Sequence, residues 1–208
     1  RQFYAMKEKH PDCIIFFRMG DFYETFGDDA GVVSRELDIV LTARGKDREG
    51  ERMPLAGVPY HAAETYIARL VSKGYRVAVC EQIEDPKKAK GIVKRDVVRV
   101  ITPGTVIDAS MIASPGARYL MALCPDGPRF GLAFLDISTG EFFVEECAGD
   151  RDFSAVLSEV ERYRPQECIV GPPLPDGLEG RLADLEVLVT RFRADAFAEN
   201  AAKDLLLG

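Results

Sequence analysis

The segment CIIFFRMGDFYE, residues 13–24, carries the strongest structural signal in this chain. Its first five residues form an unbroken apolar run of strand length, rich in β-forming side chains, which predicts a buried strand. Gly20 then allows the backbone to turn sharply. Asp21 followed three places later by Glu24 matches a capping box, which predicts that a helix begins here and ends at Asp38.

Strand and helix patterns alternate on both sides of this segment, up to about residue 102. Apolar periodicity predicts amphipathic helices at Gln2–Lys9 and 60–73, and the proline-bounded stretch 54–59 is predicted as a turn. Further strands are predicted at 39–42, 75–83 and 97–102. This alternation predicts a mixed sheet flanked by helices.

The second half of the chain has a different order of elements. A meander of three strands is predicted first, with a tight turn at Ser138-Thr139-Gly140, and is followed by a helix. Two shorter strands with a helix-like stretch between them complete the pattern. The predicted elements are strands 119–124, 129–137 and 141–146, helix 152–163, and strands 167–170 and 186–190. This order favours a ribonuclease-H-like α/β sheet.

The chain of 208 residues divides by charge as well as by pattern. Residues 1–105 carry 18 Lys and Arg against 16 Asp and Glu, a net charge of +2, whereas residues 106–208 carry 9 against 18, a net charge of −9. We therefore predict a first domain at 1–105, a linker at 106–116 that is rich in turn residues, and a second domain at 117–208. A uniformly basic nucleic-acid binder is excluded.

Five cysteines lie scattered through the sequence without a CxxC pair. The odd count and the apolar surroundings of several thiols favour reduced core residues, and we expect a cytoplasmic protein. No apolar run reaches the roughly 18 to 20 residues of a membrane span, so no membrane partner is expected.

Sequence motifs of common enzyme classes are absent. The chain has no GxxxxGK[ST], GxGxxG or HExxH motif, and its two histidines, His10 and His61, are interpreted as solvated or capping residues. A ribonuclease-H-like nuclease remains an alternative, because Asp136 near the end of a strand is the residue type that binds catalytic metal ions. A regulatory module whose acidic second half docks proteins is another.

Basic residues cluster at the end of the first half. A net charge of +5 accumulates over thirteen residues, where one acidic residue, Asp96, stands against Lys87, Lys88, Lys90, Lys94, Arg95 and Arg99. Such a patch suits contacts to nucleic-acid phosphates that do not depend on the base sequence. A solvated loop explains the charge equally well. His61 near a helix start is a further candidate for a phosphate contact.

Phe22, Tyr23 and Glu24 allow two interpretations. In the first, Phe22 lies in the core and Glu24 caps a helix. In the second, an aromatic ring projects as a wedge that unstacks bases, and the neighbouring carboxylate accepts a hydrogen bond from an exposed base edge. Composition alone does not separate the two.

Residues 17–24, FRMGDFYE, resemble the mismatch-recognition motif of the MutS mismatch-repair family. The likeness extends to Phe26 and Ala30 and spans essentially the whole chain. The further matching stretches are LT at 41–42, PLAGVPYH at 54–61, VCEQ at 79–82, VVR at 97–99, TPGT at 102–105 and LDISTG at 135–140.

This resemblance implies a mixed-sheet α+β mismatch-binding domain followed by a ribonuclease-H-like α/β connector domain. It implies that Phe22 is the intercalating wedge and that Glu24 hydrogen-bonds the mispaired base. His61, Lys94, Arg95 and Arg99 are the expected contacts to the DNA backbone. No catalytic, cofactor-binding or metal-binding residue is expected within this chain.

The resemblance also implies partners. Double-stranded DNA with mismatches or small loops is the expected ligand, and a MutL-type repair protein is expected to bind the connector domain. The family's ATP and Mg²⁺ sites and its homodimer contacts are expected in regions outside these residues, so we expect no ATP hydrolysis by this chain alone.

Overall fold

The computed structural model describes residues 2–46, 50, 52–84, 91–105, 118–149 and 152–207. They form two compact units, one reaching to Pro103 and the other beginning at Gly104. The predicted linker at 106–116 lies outside the described residues. Across the described ranges, no helix is both long and apolar enough to cross a membrane.

Among the described residues, the first unit repeats the order helix, strand, strand three times. Its elements are α1 (Gln2–Lys9), β1 (Cys13–Met19), β2 (Phe22–Phe26), α2 (Asp28–Leu37), β3 (Thr42–Lys46), β4 (Arg52–Pro59), α3 (Ala63–Val71), β5 (Arg76–Gln82) and β6 (Arg95–Ile101). A 3₁₀ turn at Tyr60–Ala62 precedes α3. The predicted strand at 39–42 begins later than expected, at Thr42.

The strands of the first unit form one mixed sheet in the order β3-β4-β2-β1-β5-β6. β1 lies at its centre, parallel to β5 and antiparallel to β2. Because side chains alternate along a strand, Ile15 and Phe17 pack toward Met6 of α1, while Phe16 points to the opposite face. This packing on both faces explains why the predicted strand is an unbroken apolar run.

The helix predicted to begin at Asp21 is wrong. Residues 22–26 form β2, which pairs with β1 on one side and β4 on the other, and α2 begins only at Asp28, after Gly27. Pairing on both sides satisfies the backbone groups of β2 more completely than one capping side chain does. The predicted end of the helix at Asp38 is confirmed, with that residue in the left-handed conformation (φ 56°).

The turn predicted at 54–59 is wrong as well, because these residues belong to β4. Pro54 is compatible with the strand because it lies beside the register shift between β3 and β4, and Pro59 because it is the last residue of β4. The register places Gly57 opposite Glu24 and Pro59 opposite Phe22. This strand therefore forms one side of the region that the sequence singled out.

The second unit contains the predicted meander and the helices and strands after it. Its elements are β7 (Tyr119–Asp126), β8 (Arg129–Asp136), β9 (Glu141–Ala148), α4 (Ser154–Tyr163), β10 (Glu167–Val170), α5 (Leu178–Asp184), β11 (Leu188–Arg191) and α6 (Glu199–Leu207). The sheet order is β11-β10-β7-β8-β9. β8 is antiparallel to both β7 and β9, whereas β10 is parallel to both β7 and β11. The mixed α/β class is confirmed.

Gly104 belongs to the second unit through close packing. Its N–H donates to the buried Glu167 carboxylate at 3.1 Å. A Cβ atom at this position would lie 2.8 Å from Glu167 Cβ and 2.8 Å from Leu120 Cδ1. Only glycine fits this approach of backbone to sheet.

Candidate nucleic-acid interface

A two-residue turn joins β1 to β2 and determines where Phe22 stands. Met19 pairs with Phe22 across the turn, and Gly20 has φ 59°, as the first central residue of a type II′ hairpin turn requires. Phe22 is thus the first residue of β2, and its side chain is 47% exposed. The next residue, Tyr23, points to the opposite face and is buried.

Contacts from two other segments hold this turn. The Nε–H of Arg18 donates to the carbonyl of Gly20 at 2.6 Å, and the N–H of Tyr60 donates to the carbonyl of Asp21 at 2.9 Å. The Arg18 guanidinium also stacks on the Tyr60 ring, with Cζ 3.9 Å from its centroid. Because both turn carbonyls are bonded, the backbone that carries Phe22 is held in place before any ligand arrives.

Tyr23 anchors the strand from the side opposite Phe22. Its hydroxyl donates to the Glu81 carboxylate, and an Arg18 nitrogen lies 4.0 Å from the same carboxylate. Burial, with help from the Glu81 hydrogen bond, raises the pKa of Tyr23 to about 12. The tyrosine is therefore a neutral structural residue, and alternation along the strand leaves Phe22 and Glu24 together on the other face.

Glu24 is a poorly compensated carboxylate. Its side chain is only 15% exposed, and its Oε1 lies 3.9 Å from Nη1 of Arg44. Its Oε2 is buried and finds no hydrogen-bond partner among the described residues. Burial raises the pKa of Glu24, and the positive charge of Arg44 opposes that rise. The site thus holds an acceptor ready for a ligand that donates a hydrogen bond.

The predicted backbone contacts occupy different environments. His61, in the 3₁₀ turn after Pro59, and Lys94, just before β6, are both exposed. Arg95 instead donates to the carbonyls of Arg18 (2.7 Å) and Val93 (2.8 Å), and Arg99 forms an ion pair with a glutamate of α3. The remaining lysines of the basic cluster, Lys87, Lys88 and Lys90, lie outside the described residues.

Three residues of the site were not identified from the sequence. Arg18 and Tyr60 hold the turn, and Arg44 reaches Glu24 from β3. Arg18 and Tyr60 lie within matching motif stretches, and Arg44 lies two residues after one, but no motif states which side chain each contacts. The folded structure supplies that information.

Asp136, considered above as a nuclease residue, is bonded within its own turn. Its buried Oδ1 accepts hydrogen bonds from the N–H (2.9 Å) and the hydroxyl (2.6 Å) of Ser138, which lower its pKa. In the parts of the chain that the structure describes, no group of three or more His, Cys, Asp or Glu residues is placed to hold a metal ion.

Comparison with known families gives two matches that follow the two units. The family model described as MutS domain I matches residues 1–110, and the model described as MutS domain II matches residues 118–207. The chain belongs to the MutS family. The resemblance inferred from residues 17–24 is thereby confirmed, and the site around Phe22 lies within MutS domain I.

Similar proteins carry the name DNA mismatch repair protein MutS. The protein of Methanococcoides burtonii is 52% identical over 99% of this chain and 23% of its own length. The protein of Methanosarcina acetivorans is 52% identical over 99% of this chain and 24% of its own length. The protein of Symbiobacterium thermophilum is 51% identical over 83% of this chain and 20% of its own length. The chain therefore spans about a quarter of the length of these MutS relatives.

Proposed function

We propose that this chain recognises mismatched base pairs in DNA mismatch repair, with Phe22 as an intercalating wedge and Glu24 as the residue that bonds the mispaired base. One observation carries the proposal: a half-exposed aromatic ring stands on a braced hairpin turn, beside an incompletely bonded carboxylate on the same face of one strand. The names of the MutS relatives agree with it.

The wedge tests how easily the duplex deforms. Unstacking a base step costs a few kcal/mol in paired DNA and less at a mismatch. Stacking on one aromatic ring returns about 1–3 kcal/mol. The balance is therefore favourable only where pairing is already weakened, so Phe22 discriminates by the ease of insertion and not by base identity.

Glu24 adds discrimination at the inserted position. A carboxylate is repelled by phosphates and is a poor general ligand for DNA, so its presence beside the wedge suits selection and not bulk affinity. Burial raises the pKa of Glu24, so this carboxylate takes up a proton more readily than an exposed one and can share that proton with a base nitrogen. Bonding a base also satisfies the acceptor that lacks a partner in the free protein.

The remaining functions of the family are proposed for other parts of the longer protein. We place ATP and Mg²⁺ binding, homodimer contacts and most phosphate contacts outside this chain, and we expect a MutL-type protein to bind the second unit. We propose that this chain binds DNA and does not itself catalyse a reaction. Cytoplasmic location and the domain limits at 105 and 117 stay predictions.

A chimera tests the wedge. In it, this chain replaces the matching 208 residues of the Methanococcoides burtonii relative, and affinities are measured for duplexes with one G·T mismatch, one unpaired T, or full pairing. Phe22→Ala removes the stacking surface, so we expect affinity for both altered duplexes to fall about tenfold or more, with little change for paired DNA.

Phe142→Ala is the matched control, because Phe142 is a comparably exposed phenylalanine (59%) on β9 of the other unit. It should leave all three affinities unchanged. A mismatch preference that survives Phe22→Ala intact contradicts the wedge, and a loss in the control variant as large as in Phe22→Ala shows that the effect is not specific to this site.

A further inference from the structure

We propose that Arg44 is a specificity-determining residue of this site: its guanidinium holds the Glu24 carboxylate on the free protein and must release it before Glu24 can bond a mispaired base. This inference rests on the proposed function of Glu24. It assigns a role to a residue that lies on a different strand from the wedge and does not brace the turn.

Arg44 of β3 reaches Glu24 of β2 across the intervening strand β4. Thr42 of β3 pairs with Leu55 of β4, which in turn pairs with Phe26 of β2. The pairing of β3 with β4 shifts register between Ala43 and Lys46, so Arg44 lies at an irregularity of the strand that re-aims its side chain. The long arginine side chain spans the remaining distance, ending 3.9 Å from the carboxylate.

This contact is built to open. At 3.9 Å the charges attract without a hydrogen bond between them. The Arg44 side chain is 70% exposed whereas that of Glu24 is 15% exposed. The arginine can therefore swing into solvent, or onto a phosphate, while the glutamate stays in place.

In the part of the chain that the structure describes, the strands on either side of Glu24 place no charged side chain beside it. β1 places Phe17 beside it and β4 places Gly57 on its other side. Arg95 lies on the same face beyond Phe17, with Cζ 5.1 Å from that ring, but its guanidinium bonds two backbone carbonyls. Among the described residues, Arg44 is thus the charged group that acts on Glu24. Its positive charge lowers the pKa of Glu24, whereas burial raises that pKa.

Relative strengths decide which partner Glu24 takes. A partly exposed ion pair changes an equilibrium constant by about two- to fivefold. A hydrogen bond to a charged group in a desolvated site changes it by about ten- to a hundredfold. An inserted base that donates to Glu24 therefore displaces Arg44, whereas paired DNA, which presents no base to Glu24, leaves the ion pair intact.

The first test needs no DNA. The pKa of the Glu24 side chain is measured by ¹³C NMR titration of the 208-residue chain carrying Arg44→Met, and of the same chain carrying Arg52→Met. Arg52 is an exposed basic residue on β4, so its removal changes the net charge equally. We expect the pKa of Glu24 to rise in Arg44→Met and to stay at the wild-type value in Arg52→Met. An unchanged pKa in Arg44→Met overturns the proposal.

The second test is a double-mutant cycle in the chimera. Arg44→Met should change the ratio of mismatch affinity to paired affinity by about two- to fivefold when Glu24 is present, and should shift the pH dependence of that ratio to higher pH. In a Glu24→Gln background the same substitution should alter both affinities equally. Changes that are additive across the cycle overturn the proposal.

The two proposals fail in different ways. If Phe22→Ala and Glu24→Gln leave mismatch preference intact, the proposed function is wrong whatever the NMR titration shows. If those variants lose the preference but Arg44→Met moves neither the pKa of Glu24 nor the affinity ratio, the recognition site stands and the role of Arg44 is wrong.

Discussion

Burial of the Glu24 carboxylate disfavours the folded protein, and the proposed bond to a mispaired base gives a functional reason for that burial. Its carboxylate lies in a mostly covered position, its Oε2 has no partner among the described residues, and Arg44 compensates it only in part. A neutral side chain of the same shape would suit the free protein better. Such a conflict between stability and chemistry is typical of binding sites.

The raised pKa of Glu24 makes a prediction about stability and pH. Because the pKa is higher in the folded state, folding favours the protonated form. The stabilisation from Glu24 is fully present below the ordinary carboxyl pKa of about 4.3 and is lost as pH rises through the folded-state pKa. We therefore expect Glu24→Gln to raise the free energy of unfolding at pH 7 by about 1 kcal/mol and to leave it unchanged near pH 4.

Urea denaturation of the chain and its Glu24→Gln variant at both pH values measures this difference. A variant that is less stable than wild type at pH 7 contradicts the burial explanation.

The β1–β2 hairpin is the element that presents Phe22, the proposed wedge. Its turn has two residues, and the first of them, Gly20, has a positive φ. The carbonyl of Gly20 accepts a hydrogen bond from Arg18, and that of the second turn residue accepts one from Tyr60. These contacts fix the direction in which Phe22 leaves the sheet. A helix at this position, as the capping box predicted, would have placed Phe22 and Glu24 about 200° apart around its axis instead of on one face.

Two glycines near the wedge should respond differently to the same substitution. Gly20→Ala forces a side chain into a left-handed conformation, so we expect a loss of about 1–2 kcal/mol in stability. Gly57→Ala places its Cβ in ordinary contact, 3.6 Å from Glu24 Cγ and 3.9 Å from Phe22 Cδ1, so we expect a change below about 0.5 kcal/mol. Thermal unfolding of the two variants compares them directly, and equal losses contradict the assigned turn geometry.

The whole chain consists of two units with separate cores, centred on residues such as Phe16 in the first and Phe134 in the second. Each unit has its own sheet, and neither core borrows strands from the other. The uneven charge of the two halves therefore belongs to two different surfaces. Only the first carries the proposed wedge.

Gly104→Ala should destabilise one unit selectively. The added Cβ would lie within 3 Å of Glu167 and Leu120, so we expect the second unit to lose about 1–3 kcal/mol while the first is unaffected. Gly131→Ala is the control in the same unit, because its Cβ would meet only the Cys124 carbonyl at 3.8 Å. Hydrogen exchange read separately in β5 and β8 distinguishes the units, and an equal loss in both contradicts their independence.

Much of the fold and the family follow from the order of residues. Apolar runs specify β1 and β5, and the alternation of side chains specifies the meander, because these signals are local and follow the period of a strand. The residues at 17–24 identify the MutS family because they form one continuous motif. Folding determined the rest. Residues 22–26 become a strand because β1 and β4 pair with them. Arg44 of β3 meets Glu24 of β2 because β4 lies between these two strands and joins them in one sheet. Such contacts depend on groups distant in the chain, which no local pattern encodes.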